Sequence, residues 1–371
     1  MRVRLAYWTA LIVASGMSLA TTFSATSAPL PVLEHLTMRD HGAGWAITSY
    51  GQIVHTVNQG TTWTPVLTLP PDVHQPSVAF PSSNLAMITT TQPAKAITVQ
   101  QTTNAGRFWQ TSVLPIQTPA VTVMASAWVI PQKTAWIATQ TPDSIQVWKK
   151  TASEPWKKSW HGIDMMGSTT VLGFGFVSNQ TGWLTGINAA LDRPLFMRTK
   201  DGGQVWSNAT STLQWLPNQR PTTNVTVIVD PPHFWTPRTG WLDILIPRPH
   251  HNTWTFFTTQ NGGTSWQEAK AISLGSSTMV PRVNFPNPTF GVLVTGDRNI
   301  WTFRLTKTGR IAQTTAIPTH PGWTKISSFT FTSATTGWAL VQTKQGQRLE
   351  YTMNGGNTWR RQDFSVFADR N

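Results

Sequence analysis

Four aspartates, Asp143, Asp192, Asp243 and Asp297, fall near the loop after a strand-like run, at comparable places along the chain. Glycoside cleavage uses two carboxylates held roughly 5–9.5 Å apart across the sugar, so these four are the candidates for that chemistry. The only glutamates, Glu34, Glu154, Glu268 and Glu350, sit near strand ends or in degenerate repeats. His250-His251 lies in an extended segment beside Arg248 and Trp254. Adjacent histidines on a strand point to opposite faces and do not chelate one ion together, even with His233 in reach. The chain has no cysteine, which removes disulfides, thiolate metal sites and cysteine nucleophiles. A Gly-x-Ser-x-Gly elbow and a Gly-rich phosphate loop are both missing. No catalytic residue, metal ligand or cofactor is therefore assigned. Longer connections carry a different set: Arg193, Trp215, Arg220, Arg248, His250 and Trp254. Rings beside cations suit a polysaccharide, an anionic polymer or a protein partner, and these six are expected on loops of one face.

The elements that would position them come from an internal repeat. Five segments share a hydroxyl residue, then Asn or Asp two residues later, Gly two further on, and Trp three beyond that. They are Thr56-Asn58-Gly60-Trp63, Thr102-Asn104-Gly106-Trp109, Thr199-Asp201-Gly203-Trp206, Thr259-Asn261-Gly263-Trp266 and Thr352-Asn354-Gly356-Trp359. Gly-Trp precedes four of them, at Gly44-Trp45, Gly182-Trp183, Gly240-Trp241 and Gly337-Trp338, with Ala135-Trp136 as a weaker case. Around Thr151 to Trp156 the Asn and Gly are lost; around Thr306 to Gln313 the Trp is lost too, although Phe290-Gly291-Val292 stands in the Gly-Trp position.

Each residue type has a reason. A tight turn between antiparallel strands needs one left-handed position, which Gly adopts freely. The Asn or Asp oxygen accepts N–H groups of its own turn. Trp opens the outgoing strand and buries a large surface against the neighbouring unit. Box tryptophans at 63, 109, 156, 206, 266 and 359 are spaced by 46, 47, 50, 60 and then 93 residues, the last being two periods. Seven units of four strands each predict an all-β, seven-bladed propeller. Its blades are expected at roughly 33–75, 76–120, 121–165, 166–217, 218–275, 276–322 and 323–371. The composition agrees: 26 Gly and 26 Pro among 371 residues punctuate a chain of short strands and leave no room for long helices.

Residues 1–28 read as an export signal, with Arg2 and Arg4 before an apolar run from Leu5 and small residues up to Ala28. Cleavage after Ala20 or after Ala28 and retention as a membrane anchor are all compatible with the 19 residues from Leu5 to Phe23; interruption by Ser15, Gly16 and Ser18 favours cleavage. An extracellular or cell-envelope location follows. The net charge is +13, yet only 12% of residues are charged. Lysines and arginines are scattered, so nucleic acid is not an expected partner, and a monomer is. A chain so poor in carboxylates has few ion pairs to lose on acidification, which suggests an acidic medium.

The box resembles the Asp-box, or BNR, repeat of sialidase-like propellers. Joined to the upstream Gly-Trp, it resembles photosystem II assembly-factor-type and WD40/YVTN/BNR-like bacterial propellers, over about residues 33–371. That resemblance implies boxes on the turn between the third and fourth strands of each blade, away from the usual ligand face, and hence a scaffolding role. A sialidase-like site would need several arginines, a Tyr–Glu pair and an acidic residue. The chain has three tyrosines, and the Arg-Ile-Pro motif of that family is absent. The expected function is thus a non-catalytic binding or assembly scaffold for an extracytoplasmic protein or glycan, with a sialidase-like or xyloglucanase-like glycosidase as the alternative.

Overall fold

Strands rich in Thr, Val, Ile and aromatic residues alternate with Gly-, Asn- and Ser-containing turns, and the chain folds accordingly into seven antiparallel sheets. The computed structural model describes residues 32–366 except 72, 74–75, 92–96, 117–126, 131–133, 141–143, 164–168, 189–192, 217–226, 248–251, 274–281, 296–298 and 307–309. Blade 1 spans Leu33–Met38 to Thr62–Thr68, blade 2 Ser77–Ala79 to Gln110–Val113, blade 3 Ala127–Ile130 to Lys157–Ile163, and blade 4 Thr169–Phe176 to Ser207–Asn208. Blade 5 runs from Ile228–Val229 to Trp266–Ser273, blade 6 from Arg282–Asn287 to Ile311–Ile317, and blade 7 from Trp323–Phe331 to Arg360–Gln362. First strands touch one another between blades 2 and 3, 3 and 4, 6 and 7, and 7 and 1, and so lie innermost. Among the described residues the only helical turns are short 3-10 segments at Asp40–Gly42 and Thr210–Thr212. This is a seven-bladed β-propeller.

The hydrophobic core is divided into seven clusters, each shared by two consecutive blades, from blades 1 and 2 round to blades 7 and 1. A sheet blade is apolar on both faces and is stable only when flanked, so burial itself closes the ring. Each Gly-Trp faces the following blade and each box Trp faces the preceding one. Trp183 of blade 4 thus meets Trp266 of blade 5 edge-on at 6.3 Å, and Trp338 of blade 7 shares a cluster with Trp63 of blade 1.

A third signature, not used in the sequence reading, completes this contact. Phe80, Phe176, Phe234, Phe285 and Phe331, with Met38 in blade 1, each stand six residues before Ala86, Gly182, Gly240, Gly291, Gly337 and Gly44. A Cβ on Gly337 would lie 2.6 Å from the Phe331 ring, and one on Gly182 2.7 Å from Phe176. The glycine is therefore there to seat the aromatic of its own inner strand. That aromatic then stacks on the Gly-Trp ring of the previous blade, as in Trp136–Phe176 at 3.9 Å, Trp183–Phe234 at 4.9 Å and Trp45–Phe80 at 5.4 Å.

The degenerate units keep their places. Trp156 is buried and its indole N–H donates to Ser112 Oγ at 2.9 Å. In blade 6, Leu305 and Ile311 stand at the slot of the missing box Trp, against Trp241 and its neighbours in blade 5. Two segments leave their expected blades. Leu213–Gln214, placed in blade 4 by sequence, pairs in parallel with Trp266–Gln267 on the outer edge of blade 5. Ser365–Val366, placed in blade 7, pairs in parallel with Thr62–Trp63 on blade 1. Blade 5 is also irregular at its inner edge, where Ile228–Val229 and His233–Phe234 both pair with Gly240–Ile246.

Candidate functional site

The box turns share one construction. Thr Oγ1 donates to the Asn or Asp Oδ1 at 3.0, 3.0, 2.8, 2.9 and 3.0 Å for Thr56, Thr102, Thr199, Thr259 and Thr352. Each of these hydroxyls also accepts the N–H of the second-position glycine: Gly60, Gly106, Gly203, Gly263 and Gly356. The Asn or Asp Oδ1 accepts the N–H of the residue before the Trp, namely Thr62, Phe108, Val205, Ser265 or Thr358. Where that residue carries a hydroxyl, the Asn amide donates back to it, at 2.9 Å in Asn58–Thr62, Asn261–Ser265 and Asn354–Thr358. Asp201 has no such donor and its box carries Val205 instead. Every box turn then docks its backbone on the first turn of its own blade, as in Gln59 N–H to Gly42 O at 2.7 Å and Gly355 N–H to Thr335 O at 2.8 Å. All box turns therefore lie on one face of the disc.

Of the six loop candidates, Trp254 and Trp215 are described with their side chains, and they pack into different interblade clusters. Trp254 stands within the third strand of blade 5, Thr253–Thr259, fully buried and stacked on Phe303 at 5.8 Å. It belongs to the core between blades 5 and 6; its apolar ring needed a dry partner more than a loop could supply. Trp215 is half-buried edge-on to Phe257 at 4.8 Å, in the cluster between blades 4 and 5. Arg193 begins the third strand of blade 4, opposite Asn188. Arg220, Arg248 and His250 lie outside the described residues, as do His251, Asp143, Asp192 and Asp297. His233 stacks on Trp241 at 4.5 Å.

Asp243, expected near a loop, sits in the middle of the second strand of blade 5 and is 2% exposed. The Trp254 indole donates to its Oδ2 at 2.9 Å. Burial, and then the charge of half-buried Asp230, push the Asp243 carboxyl well above its ordinary range. Burial raises the Asp230 carboxyl as well, and of the two Asp243 is pushed further toward its protonated form. A carboxyl held in this way cannot reach a sugar in solvent.

Two cavities of about 520 Å³ each are better placed for recognition. One opens among the inner strands of blades 6, 7 and 1, at the end away from the boxes, lined by Glu34, His35, Arg282, Asn284, Phe329 and Gln342, among others. Arg282 is fixed there: its guanidinium donates to Ser327 O at 2.6 Å and to Ile326 O, and it lies 6.0 Å from the centre of the Phe329 ring. His35 has a left-handed backbone, φ 48°, beside an irregularity in strand register between Glu34 and Thr37. Strained backbone of this kind is retained where the surroundings hold a side chain in place. Sequence reasoning missed this set because its residues come from strands more than 240 residues apart. The other cavity lies on the box face between blades 1 and 2.

No protein family profile matches the chain. Over 54 residues it is 39% identical to the photosystem II assembly protein Ycf48 of Thermosynechococcus vestitus, a stretch that is 15% of this chain and 14% of that protein. The structure is similar to YCF48 from Cyanidioschyzon merolae, with a TM-score of 0.54 at 15% identity, covering 89% of this chain and 98% of that one. It is also similar to an ancestral GH74 enzyme, with a TM-score of 0.54 at 13% identity, covering 92% of this chain but 48% of the enzyme. The likeness is one of fold. The propeller spans about half the length of the enzyme, and the sequence match to Ycf48 spans about a seventh of that relative.

Proposed function

We propose that the propeller is a non-catalytic binding or assembly scaffold, working outside the cytoplasm, that seats an extended segment of a protein partner in the cavity among blades 6, 7 and 1. One observation carries this reading: a cavity of about 520 Å³ on the inner strands with a fixed guanidinium, a strained His35 and side-chain amides at its wall. Pockets of roughly 300–1,000 Å³ with a few convergent polar groups are the usual shape of recognition sites. Fixed cations and amides suit a peptide, whose carbonyls need donors along its length. The short sequence match to an assembly protein supports a protein partner. The burial of Asp243 in the core removes one of the carboxylates on which a glycosidase reading would rest.

The test places a photo-crosslinking amino acid at Gln342 of the full chain and captures partners from the producing cell's envelope fraction. A defined protein adduct that disappears in Arg282→Glu supports the reading. Adducts unchanged by that substitution, together with release of reducing sugar from an envelope polysaccharide, would reject it.

A further inference from the structure

The box-face cavity between blades 1 and 2 exists because one internal clamp is missing. In blades 3 and 4 the residue cross-strand from the Ala-Trp or Gly-Trp reaches across to the next blade's box. Opposite Trp183 this is Arg198, which lies 5.4 Å from the Trp183 ring centre and donates to Gly262 O at 3.0 Å and Gly263 O at 3.1 Å. Opposite Trp136 it is Lys149, 5.5 Å from that ring. Opposite Trp45 it is His55, which is shorter, lies tilted against Trp45 with ring centres 4.4 Å apart and reaches only Ser83 O, at 3.0 Å. A cavity of about 520 Å³ is left, lined by His41, Val57, Asn84, Asn104, Ala105 and Arg107 among others.

Its wall is rich in uncommitted donors. The side chains of Arg107, His41 and Asn84 make no hydrogen bond or ion pair with the described residues. The Asn104 amide is also uncommitted, because Phe108 replaces the hydroxyl that takes the amide hydrogen in the boxes of blades 1, 5 and 7. No Asp or Glu is among the described lining residues. His41, at φ 61°, and Ala105, at φ 60°, both hold left-handed backbone at this wall. Val57 stands 73% exposed at the rim.

We propose that this groove is a recognition site for a carboxylate-bearing segment of a protein partner, separate from the cavity among blades 6, 7 and 1. Donors at several angles around one guanidinium match a carboxylate, whose oxygens accept bidentate and side-on bonds. A peptide is the occupant chosen over an acidic sugar, because exposed Val57 at the rim and exposed Phe108 beside Arg107 give apolar rests for side chains on either hand of the carboxylate.

Fluorescence anisotropy with a labelled hexaglutamate peptide and the full chain tests this, with unlabelled trigalacturonate as competitor. Binding should saturate, weaken with salt, and fall about tenfold or more in Arg107→Glu. It should be unchanged in Arg304→Glu, an exposed charge reversal of equal size on blade 6. Equal loss in both variants would mean non-specific attraction to a basic protein and would overturn the proposal. So would absence of peptide binding, or trigalacturonate binding that depends on Arg107 in place of the peptide. Circular dichroism of each variant confirms the fold; should Arg107→Glu fail to fold, Arg107→Gln removes the charge at the same exposed position.

Discussion

At the scale of single residues, Asp243 is the least expected. It occupies the third position after the glycine or alanine of its second strand, where the other blades carry Ile47, Thr89, Ala138, Thr185, Val294 and Leu340. Burial also pushes the carboxyls of Glu268 and Glu350 upward, Glu350 being moderated by Arg348 and His320. A carboxyl whose folded pKa is raised contributes stability fully present below the unfolded pKa and lost as pH rises through the folded value. Asp201 acts in the opposite sense: the Val205 N–H holds its carboxyl down, so its contribution disappears as pH falls through its folded value. Asn58, Asn104, Asn261 and Asn354 hold the same turn with no such loss. The propeller should therefore gain stability between neutral and mildly acidic pH. Asn at 243 can still accept from Trp254, so Asp243→Asn should raise the melting temperature near pH 7 and converge on the parent near pH 4. Parallel melting curves across that range would refute the assignment. Ala105 offers a second check. It holds φ 60° where other boxes place Gly202, Gly262 and Gly355. A left-handed non-glycine costs about 1–2 kcal/mol and glycine's extra chain entropy offsets about 0.5–1 of that. Ala105→Gly should thus stabilise by about 0.5–1 kcal/mol in urea titrations.

At the scale of elements, the Gly-Trp and the box Trp are two halves of one interblade contact. Trp338 donates its indole N–H to Gln59 O at 3.0 Å in the box turn of blade 1, and Trp136 does the same to Gly202 O at 3.0 Å. Replacing Trp63 or Trp338 with Ala should cost about 3–5 kcal/mol each. The double variant should fall short of the sum by about 1–2 kcal/mol, since both empty one cluster; strict additivity in denaturant titrations would separate the two halves. The turns themselves were legible in the sequence because their chemistry is local: Thr, Asn and Gly bond within five residues of one another. The Phe-to-Gly spacing was equally present but carries no turn chemistry, and only the packing of an inner-strand ring on a missing Cβ gives it meaning. Trp254 was misplaced for a related reason. A Trp near a long connection looks like a loop residue until the register of blade 5 assigns it to the interior.

At the scale of the molecule, the ring is held shut between its first and last blades. Ser365–Val366 adds a parallel strand to blade 1, with Ser365 N–H donating to Thr61 O at 3.1 Å. On the inner side the Gln347 amide binds both backbone groups of Leu33, each at 2.8 Å. A chain ending at Gln362 loses that strand and the half-buried Phe364 and Val366. It should be destabilised by on the order of 2 kcal/mol and unfold faster, read by stopped-flow mixing into denaturant; an unchanged unfolding rate would remove the closing role. Leu213–Gln214 makes the same parallel addition on blade 5, so a strand that leaves its own blade to cover the next one's outer edge occurs twice. The number of blades and their four-strand unit followed from the sequence alone, because turn geometry and side-chain period act over a few residues, whereas the place of the boxes within a blade came from the resemblance to Asp-box propellers. The closing strands, the buried carboxyl pair and both cavities were decided by the tertiary structure. Each depends on which residues distant segments bring together, and on a gap between blades 1 and 2 that a longer side chain than His55 would have filled.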